Sequence, residues 1–302
     1  MAAADLIPFD DRDGFIWLDG KLVPWREAKL HVLSHGLHYA SSVFEGERVY
    51  GGQIFKLTEH SQRLVDSATL LDMKLPWTTA DIDAATREVV RANSAGDAYV
   101  RPIVWRGSEV MGVTAQAAKP RLAIATWAWP SYFSPEARNK GIRLTMSQWA
   151  RPAPNTAPTK AKATGLYMIC TLSKHAAERA GFDDALMLDW RGLIAESTGA
   201  NIFLVIDGEI HTPAPDCFLD GITRRTVIGL ARARGYRIIE RHIPLADLER
   251  TQEVFLTGTA AEVTPVGEIE GRTFTVGTIT HTLMDDFTAL TRGRLETNAT
   301  AA

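Results

Sequence analysis

The segment 155–167 places Lys160 and Lys162 among alanines and threonines, directly after Pro158 and before an apolar helical pattern. Small neighbours leave room for a bulky group to approach a lysine. Removal from water favours the neutral amine of a lysine, which is the form that attacks a carbonyl to give a Schiff base. Most lysines are instead solvated surface charges. The segment alone therefore leaves two interpretations, an ordinary loop lysine and a Schiff-base nucleophile.

Four other features could take part in chemistry, and each also has an ordinary structural interpretation. Glu196 lies between a predicted strand and a Ser-Thr-Gly turn, where a carboxylate can act in a reaction or cap the turn. The tripeptide 221–223 opens a predicted helix, which either binds an anion with its first N–H groups or is plain helix punctuation. The small-residue turn 257–261 follows a strand and offers similar donors. Arg63 is either a phosphate partner or a solvated helix charge.

Tyr99 and Arg101 stand two positions apart on a predicted strand, so both side chains point to one face of the sheet. They form either a polar sheet face or a binding pair. Pro102 follows them in an otherwise apolar strand, and this combination is unusual for a plain polar face.

Taken together, these residues match one cofactor. Pyridoxal 5′-phosphate has an aldehyde, a dianionic phosphate and a ring nitrogen that must hold a proton. A Schiff-base lysine, two anion-binding turns, an arginine and a separate carboxylate supply a partner for each. The sequence therefore predicts an enzyme that uses this cofactor.

Composition limits the other classes of function. The chain has 302 residues, 45% hydrophobic and 23% charged, with a net charge of -3. These values favour one large or two medium globular domains and give no reason to expect nucleic acid or a membrane as partner. The N-terminal residues lack a secretion signal, and the two cysteines, Cys170 and Cys217, have no metal-type spacing. We therefore expect no metal and a cytoplasmic location.

The spacing of apolar and turn residues predicts an α+β protein. In its first part, hairpins are expected over 15–25, around Asp19-Gly20, and over 42–56. Helices are expected to begin at Thr58 and Thr79, which are good N-caps. The remaining predicted strands of this part are 98–105 and 121–129.

The second part repeats strands and helices in a different order. Its predicted strands are 142–149, 185–188, 201–206 and 253–257, and its predicted helices are 166–181, 223–234 and 278–291. The stretch between the two parts contains two prolines and little periodicity. The sequence therefore predicts an N-terminal domain over 1–128, an interdomain loop over 129–139 and a C-terminal domain over 140–302 that carries the cofactor lysine.

Seven motifs in order allow a family resemblance to be stated. They are SHGLHYASSVFEG (34–46), EHSQRL (59–64), AYVRP (98–102), NTAPTKAKATGLY (155–167), AESTGAN (195–201), GITR (221–224) and LTGTAAEVTP (256–265). The chain resembles the branched-chain amino acid aminotransferases, of the fold-type IV group of pyridoxal-phosphate enzymes. The resemblance implies a smaller N-terminal α/β domain and a larger C-terminal pseudo-barrel domain.

The resemblance also assigns cofactor residues. It selects Lys162 rather than Lys160 as the catalytic Schiff-base lysine, with Tyr167 on the cofactor's O3′ and Glu196 on the pyridine nitrogen. It implies that the phosphate is bound by Arg63, by the backbone of Ile222 and Thr223, and by Thr259.

For substrates, the resemblance implies reversible transfer of the amino group from leucine, isoleucine or valine to 2-oxoglutarate, giving branched 2-oxo acids and L-glutamate. Arg101 would receive the γ-carboxylate of glutamate, while Tyr99, Thr259 and Ala260 would hold the α-carboxylate. The remaining implied pocket residues are Tyr39, Phe44, Gly46, Met111, Trp129 and Tyr132.

Several alternatives stay open at this point. D-amino-acid or (R)-amine transaminases and aminodeoxychorismate lyases share the fold, and a vitamer-binding protein without turnover would share the cofactor residues. Glu47 stands where an aliphatic residue is common; it is harmless if it pairs with Arg48 and otherwise could change the substrate range. The resemblance further implies a homodimer or a higher homo-oligomer.

Overall fold

The computed structural model describes residues 7–129 and 139–295, and these residues form two compact units. The first unit contains 7–129 together with 161–165, and the second contains 139–160 and 166–295. The segment that carries Lys162 thus groups with the first unit. The boundaries at 128 and 140 stay predictions.

The first unit is built on one seven-stranded sheet. Its central strands run in the order β2-β1-β7-β6-β4-β5, and β3 pairs with β6. The sheet residues alternate or run continuously apolar, as expected for a sheet covered on at least one face. The strands are β1 (Phe15–Leu18), β2 (Lys21–Pro24), β3 (Ser42–Phe44), β4 (Glu47–Tyr50), β5 (Gln53–Ile54), β6 (Ala98–Arg106) and β7 (Pro120–Ala128).

The first predicted hairpin is present, with Asp19 and Gly20 both at positive φ (48° and 104°) between β1 and β2. This is the backbone that a two-residue turn of matching twist requires. The second predicted hairpin is interrupted, because residues 45 and 46 separate β3 from β4. A short helix that the sequence did not predict, α1 (His35–Tyr39), precedes β3.

The helix α2 (Leu57–Leu70) begins one residue before the predicted start. The prediction of Thr58 as its N-cap is wrong. Lys56 occupies that position in a left-handed conformation, and the Thr58 hydroxyl donates a hydrogen bond to Asp83 at 2.6 Å. Sequence alone does not show that Asp83 competes for this hydroxyl.

The helix α3 (Thr79–Ala92) is capped by Thr78, so the prediction of Thr79 as N-cap is wrong by one residue. Thr78 and Asp81 form a reciprocal capping box, in which each side chain accepts the other's backbone N–H. The apolar spacing that predicted α3 does face the protein interior. Its buried residues are Ile82, Ala85, Thr86, Val89 and Val90.

The second unit contains a closed pseudo-barrel, which confirms the predicted fold class. Six strands pair around a ring in the order β11-β15-β16-β8-β9-β10, and the pairing of β10 with β11 closes it. The barrel strands are β8 (Ile142–Met146), β9 (Asp184–Leu188), β10 (Leu193–Ser197), β11 (Asn201–Ile206), β15 (Thr251–Gly258) and β16 (Glu262–Ile269). The other strands of this sheet are β12 (Glu209–Pro213), β13 (Ile238–Arg241), β14 (Ile243–Pro244) and β17 (Arg272–Thr273).

Three helices belong to the second unit. They are α4 (Met168–Arg179), α5 (Ile222–Ala233) and α6 (Thr278–Thr291), each within a few residues of its prediction. A continuous apolar core lies among the barrel strands, with fully buried Leu144, Leu186, Ile202 and Leu204 at its centre. Burying side chains of this size stabilises the fold by about 1.5–3 kcal/mol each, so the barrel is a firm support for residues at its strand ends.

Both cysteines are buried and unpaired, with Cys170 on α4 and Cys217 in the loop before α5. Within the described ranges, none of the helices combines the length and apolar character needed to cross a bilayer. The cytoplasmic location stays a prediction.

Candidate active site

Lys162 is held in the first unit by its backbone. Its N–H donates to the Ser67 hydroxyl at 3.0 Å, and its carbonyl accepts from the Phe44 N–H at 3.1 Å. An antiparallel bridge joins Val43 to Ala163 next to it. These contacts fix the lysine backbone at the end of β3, whereas Lys160 is exposed.

The environment of Lys162 favours its neutral amine. The Nζ atom lies 5.0 Å from the centre of the Phe44 ring. Removal from water, followed by the nearby charge of Arg63, lowers the pKa of Lys162 to about 8, although Glu45 opposes this shift. A much larger share of the amine is therefore unprotonated near neutral pH than for a solvated lysine.

Aromatic residues and an arginine surround this lysine. The Arg101 guanidinium lies 4.7 Å from the Phe44 ring centre and donates to the Tyr99 hydroxyl at 3.2 Å. Trp129 packs against Tyr99 with ring centres 5.3 Å apart. The structure thus brings four predicted residues together with Lys162, and the group combines apolar walls with a cation.

Gly46 gives this group its room. A Cβ atom at position 46 would stand 1.9 Å from the Tyr99 hydroxyl, closer than any real contact. Only glycine therefore lets the Tyr99 side chain lie across the backbone between β3 and β4.

Arg63 is bound by a buried carboxylate. Its Nε and Nη2 atoms donate to the two Glu45 oxygens at 2.6 and 2.9 Å, and His60 Nδ1 lies 2.7 Å from Glu45 Oε2. The Glu45 side chain is fully buried, while Arg63 keeps 15% of its side chain exposed. Sequence reasoning predicted Arg63 but missed both Glu45 and His60.

In the second unit, Glu196 is the last but one residue of β10 and stands beside a second arginine. Arg151 Nε lies 3.3 Å from Glu196 Oε1, and both side chains are largely buried. Burial opposes the charge of Arg151, but the Glu196 carboxylate outweighs it and raises the pKa of that guanidinium. Tyr167 is also close enough to Arg151 to interact with it electrostatically. Arg151 therefore groups two predicted cofactor residues, and sequence reasoning missed it.

Asn201 connects Glu196 with the start of α5. Its Nδ2 atom lies 3.4 Å from Glu196 Oε2 and 3.0 Å from the Leu219 carbonyl. A Cβ atom at Gly221 would stand 2.2 Å from Asn201 Oδ1, so this close approach requires glycine. Sequence reasoning quoted the motif that ends at Asn201 but gave this residue no role.

The two predicted anion-binding turns are both present in the second unit. Ile222 and Thr223 are the first residues of α5 and are buried, so their N–H groups are at the positive end of the helix. Thr259 and Ala260 lie in the three-residue turn between β15 and β16. Asn201 pairs with Thr257 on β15, which places the end of β15 beside the strand that leads to Glu196.

Two predicted pocket residues lie on the surface of the first unit. Tyr39 is 46% exposed and stacks on His35, and Met111 is 44% exposed. His35 Nε2 lies 2.7 Å from the Gly112 carbonyl and so joins the two segments. Tyr132 lies outside the described residues.

Comparison with known proteins decides the class of this site. Residues 42–269 match the family model described as amino-transferase class IV. The chain belongs to the class IV aminotransferases.

Similar members of the class IV family act as a guide to activity. The chain is 43% identical over 296 residues to the branched-chain-amino-acid aminotransferase of Pseudomonas aeruginosa, covering 96% of each chain. A solved branched-chain amino acid aminotransferase with pyridoxamine 5′-phosphate, from the bacterium abbreviated T.th., has a TM-score of 0.91, 41% identity and coverage of 94% and 96%. Another structure of that protein contains N-(5′-phosphopyridoxyl)-L-glutamate. The Escherichia coli enzyme of the same name has a TM-score of 0.92, 38% identity and coverage of 95% and 98%.

Glu47 does not pair with Arg48. Consecutive residues of β4 point to opposite faces of the sheet, and Arg48 lies over the Tyr50 ring instead. The Glu47 side chain is fully buried, and among the described residues neither of its oxygens has a hydrogen-bond partner. Burial, together with the carboxyl groups of Glu45 and Asp83, raises the pKa of Glu47 well above 4.5.

This raised pKa predicts how stability depends on pH. Above about pH 4.5 the unfolded chain releases the Glu47 proton while the folded chain retains it, so rising pH favours unfolding until the folded pKa is passed. Glutamine has no such proton. We expect the free energy of unfolding of Glu47→Gln, relative to wild type, to increase by up to about 1.4 kcal/mol per pH unit across this window.

Urea unfolding between pH 5 and 8 measures this difference. The exposed Glu249 supplies a control, because Glu249→Gln should shift stability by the same small amount at every pH. Parallel stability curves for Glu47→Gln and wild type would show that Glu47 is ionised in the folded protein.

Proposed function

We propose that the protein transfers the amino group of L-leucine, L-isoleucine or L-valine to 2-oxoglutarate, giving branched 2-oxo acids and L-glutamate, with pyridoxal 5′-phosphate as cofactor. The observation that carries the proposal is the amine of Lys162, with its lowered pKa, beside an aromatic group that contains Arg101. The names of the class IV relatives support the same activity.

The residues present fit the cofactor. When bound, pyridoxal 5′-phosphate supplies an aldehyde for covalent capture of an amine and a ring that accepts electrons. Lys162 provides the neutral amine for the aldehyde and, once displaced by a substrate, moves the proton at the substrate's α-carbon. The Arg63 guanidinium, the N–H groups of Ile222 and Thr223, and Thr259 provide donors for a phosphate.

Glu196 and Tyr167 complete the proposed cofactor residues. Glu196 would hold a proton on the ring nitrogen, and its contacts with Arg151 and Asn201 fix the carboxylate for that task. Tyr167 would donate a hydrogen bond to the ring oxygen O3′. Arg151 thus acts as a support for the carboxylate and the phenol.

An enzyme of this kind must accept both an aliphatic side chain and the carboxylate of glutamate. Phe44 and Trp129 offer apolar contact for the aliphatic chain, and Arg101 offers two or more N–H groups for a carboxylate. Tyr99, Thr259 and Ala260 would hold the α-carboxylate that both substrates share. The proposed dual specificity depends on Arg101 being used by one substrate only.

A panel of amino donors on the wild-type and Arg101→Ala enzymes tests this function. Wild type should convert L-leucine and L-glutamate with the matching 2-oxo acids, and D-amino acids or chiral amines should react poorly. Arg101→Ala should lower kcat/KM for glutamate by about 10- to 100-fold more than for leucine, because a charge-assisted pair is lost for glutamate alone. Coupled assays of 2-oxo acid formation give both values.

The Arg101→Lys variant is the matched control, because it keeps the positive charge but loses the planar donor pair. It should recover part of the activity with glutamate. Equal losses with leucine and glutamate in Arg101→Ala would remove the proposed role of Arg101. Conversion of D-amino acids in preference to L-leucine would favour the D-amino-acid transaminase alternative, and no transamination at all would favour a lyase or a binding protein.

We also propose that the chain forms a homodimer or a higher homo-oligomer. An exposed apolar surface formed by Val32, Leu33, Leu37, Tyr39, Met111 and Val113 supports this, with Val113 89% exposed. Surfaces of this kind commonly mark protein interfaces. A single-chain mass by analytical ultracentrifugation at working concentration would contradict it.

A further inference from the structure

The carboxylate of Glu45 is an ion in the interior of the first unit that the proposed function leaves without a role. Its side chain is fully buried, and three side-chain or backbone partners surround it besides Arg63 Nε. These are Arg63 Nη2 at 2.9 Å, His60 Nδ1 at 2.7 Å and the Gly46 N–H at 3.2 Å. Both carboxylate oxygens are therefore used, as a buried charge requires.

The charges of this group are defined by its contacts. Burial alone would raise the pKa of Glu45, but the Arg63 cation and the hydrogen bond from His60 outweigh it and hold that pKa well below its ordinary value. Burial lowers the pKa of His60, which keeps its ring neutral near pH 7. His60 consequently donates its Nδ1–H to the carboxylate, and Arg63 and Glu45 are the two ions.

A buried ion pair adds little net stability, because desolvation offsets most of the attraction. Orientation is the effect that such a pair produces most clearly. The Glu45 oxygens bind the Nε–Nη2 edge of the guanidinium, which fixes the plane of the group and directs its other edge, at Nη1, away from the carboxylate. The Arg63 side chain remains partly exposed, and its charge acts on the amine of Lys162.

We propose that Glu45 and His60 are positioning residues for Arg63, holding its guanidinium in the orientation that binds the phosphate of the cofactor. This inference rests on the proposed function, since it takes Arg63 as a phosphate ligand. His60 orients Glu45, and Glu45 orients Arg63. Neither Glu45 nor His60 needs to touch the cofactor.

Glu47 supplies a matched control. It is also a fully buried glutamate, two residues from Glu45 in the chain, yet no described residue makes a hydrogen bond to its carboxyl oxygens. A change at Glu47 therefore tests the effect of altering a buried carboxyl in this part of the unit without altering the partner of Arg63.

The experiment measures binding of two aldehydes to the full-length protein freed of cofactor. Pyridoxal 5′-phosphate carries the phosphate and pyridoxal lacks it, so the ratio of their affinities reports the phosphate contact alone. Glu45→Gln should weaken pyridoxal 5′-phosphate binding by about tenfold or more, since a charge-assisted contact is disturbed, and should leave pyridoxal binding unchanged. Glu47→Gln should leave the ratio as in wild type.

Variants of His60 test the second step and serve if Glu45→Gln does not fold. His60→Asn places an amide N–H close to the position of Nδ1–H and should keep the affinity ratio near that of wild type. His60→Leu removes the donor and should lower the ratio. A ratio that stays at the wild-type value in both Glu45→Gln and His60→Leu would overturn the inference, and so would equal weakening of both aldehydes.

The wild-type protein separates this inference from the proposed function. If wild type binds neither aldehyde covalently, the proposed function fails. If wild type binds both aldehydes and prefers the phosphorylated one, the proposed cofactor stands, and the ratios in the Glu45 and His60 variants decide the positioning role by themselves.

Discussion

Lys162→Ala is expected to lower kcat by at least about 10³-fold, because one amine is proposed both to bond the cofactor's aldehyde and to move the α-proton. The structure prepares this amine by fixing its backbone through Phe44 and Ser67 and by lowering its pKa to about 8. Wild type purified with the cofactor should be yellow, and the variant should lack the corresponding visible band. Absorbance spectra and initial rates with leucine measure both effects.

Lys160→Ala is the matched control, since Lys160 belongs to the same segment and is exposed. It should keep the band and close to wild-type turnover. Borohydride reduction of wild type followed by peptide mass analysis should find the cofactor attached to Lys162. Attachment to Lys160 would show that the assignment of the catalytic lysine is wrong.

The choice between these two lysines shows what the sequence could predict. Lys160 and Lys162 are two positions apart, so strand periodicity gives their side chains the same direction, and composition around them is alike. The family pattern selects Lys162. The structure distinguishes the two by contacts from Phe44 and Ser67, which are far away in the chain and belong to β3 and α2.

Long elements and local turns were predictable because their signals are local. The helix over 278–291 and the Asp19-Gly20 hairpin follow from apolar spacing and turn residues, and both are found where expected. The closed barrel came from the family resemblance, since strand pairing such as Glu196 with Asn201 has no local signal. Short strands such as β13 and β14 carry too few residues to show a period.

The supporting residues of the candidate site could not be predicted for the same reason. Glu45 is 18 positions from Arg63, and Arg151 is 45 positions from Glu196. Each charge in isolation resembles a solvated surface residue. Only the fold shows that they are buried and that each has an opposite charge next to it, and such pairs are common at sites where a charged group needs a fixed orientation.

Glu196→Gln is expected to lower kcat by about 10²- to 10³-fold, the range for removal of one fixed electrostatic partner of a reacting group. The glutamine keeps the size of the side chain and can still contact Asn201, but it has no negative charge to hold a proton on the ring nitrogen. Binding of the cofactor should weaken much less than turnover, because the covalent bond through Lys162 and the phosphate contacts are unchanged. Single-turnover kinetics with leucine, compared with cofactor titration, separate the two effects.

The contact with Arg151 makes this prediction more specific than a general loss of activity. Arg151 opposes protonation of Glu196 and so favours the carboxylate form on which the proposed role depends. Arg151→Lys keeps a cation at that position and should reduce kcat far less than Glu196→Gln, whereas Arg151→Met should approach the Glu196→Gln value. Should Glu196→Gln retain the wild-type rate, Glu196 would be a turn cap only, and the ring nitrogen would need no proton from the protein.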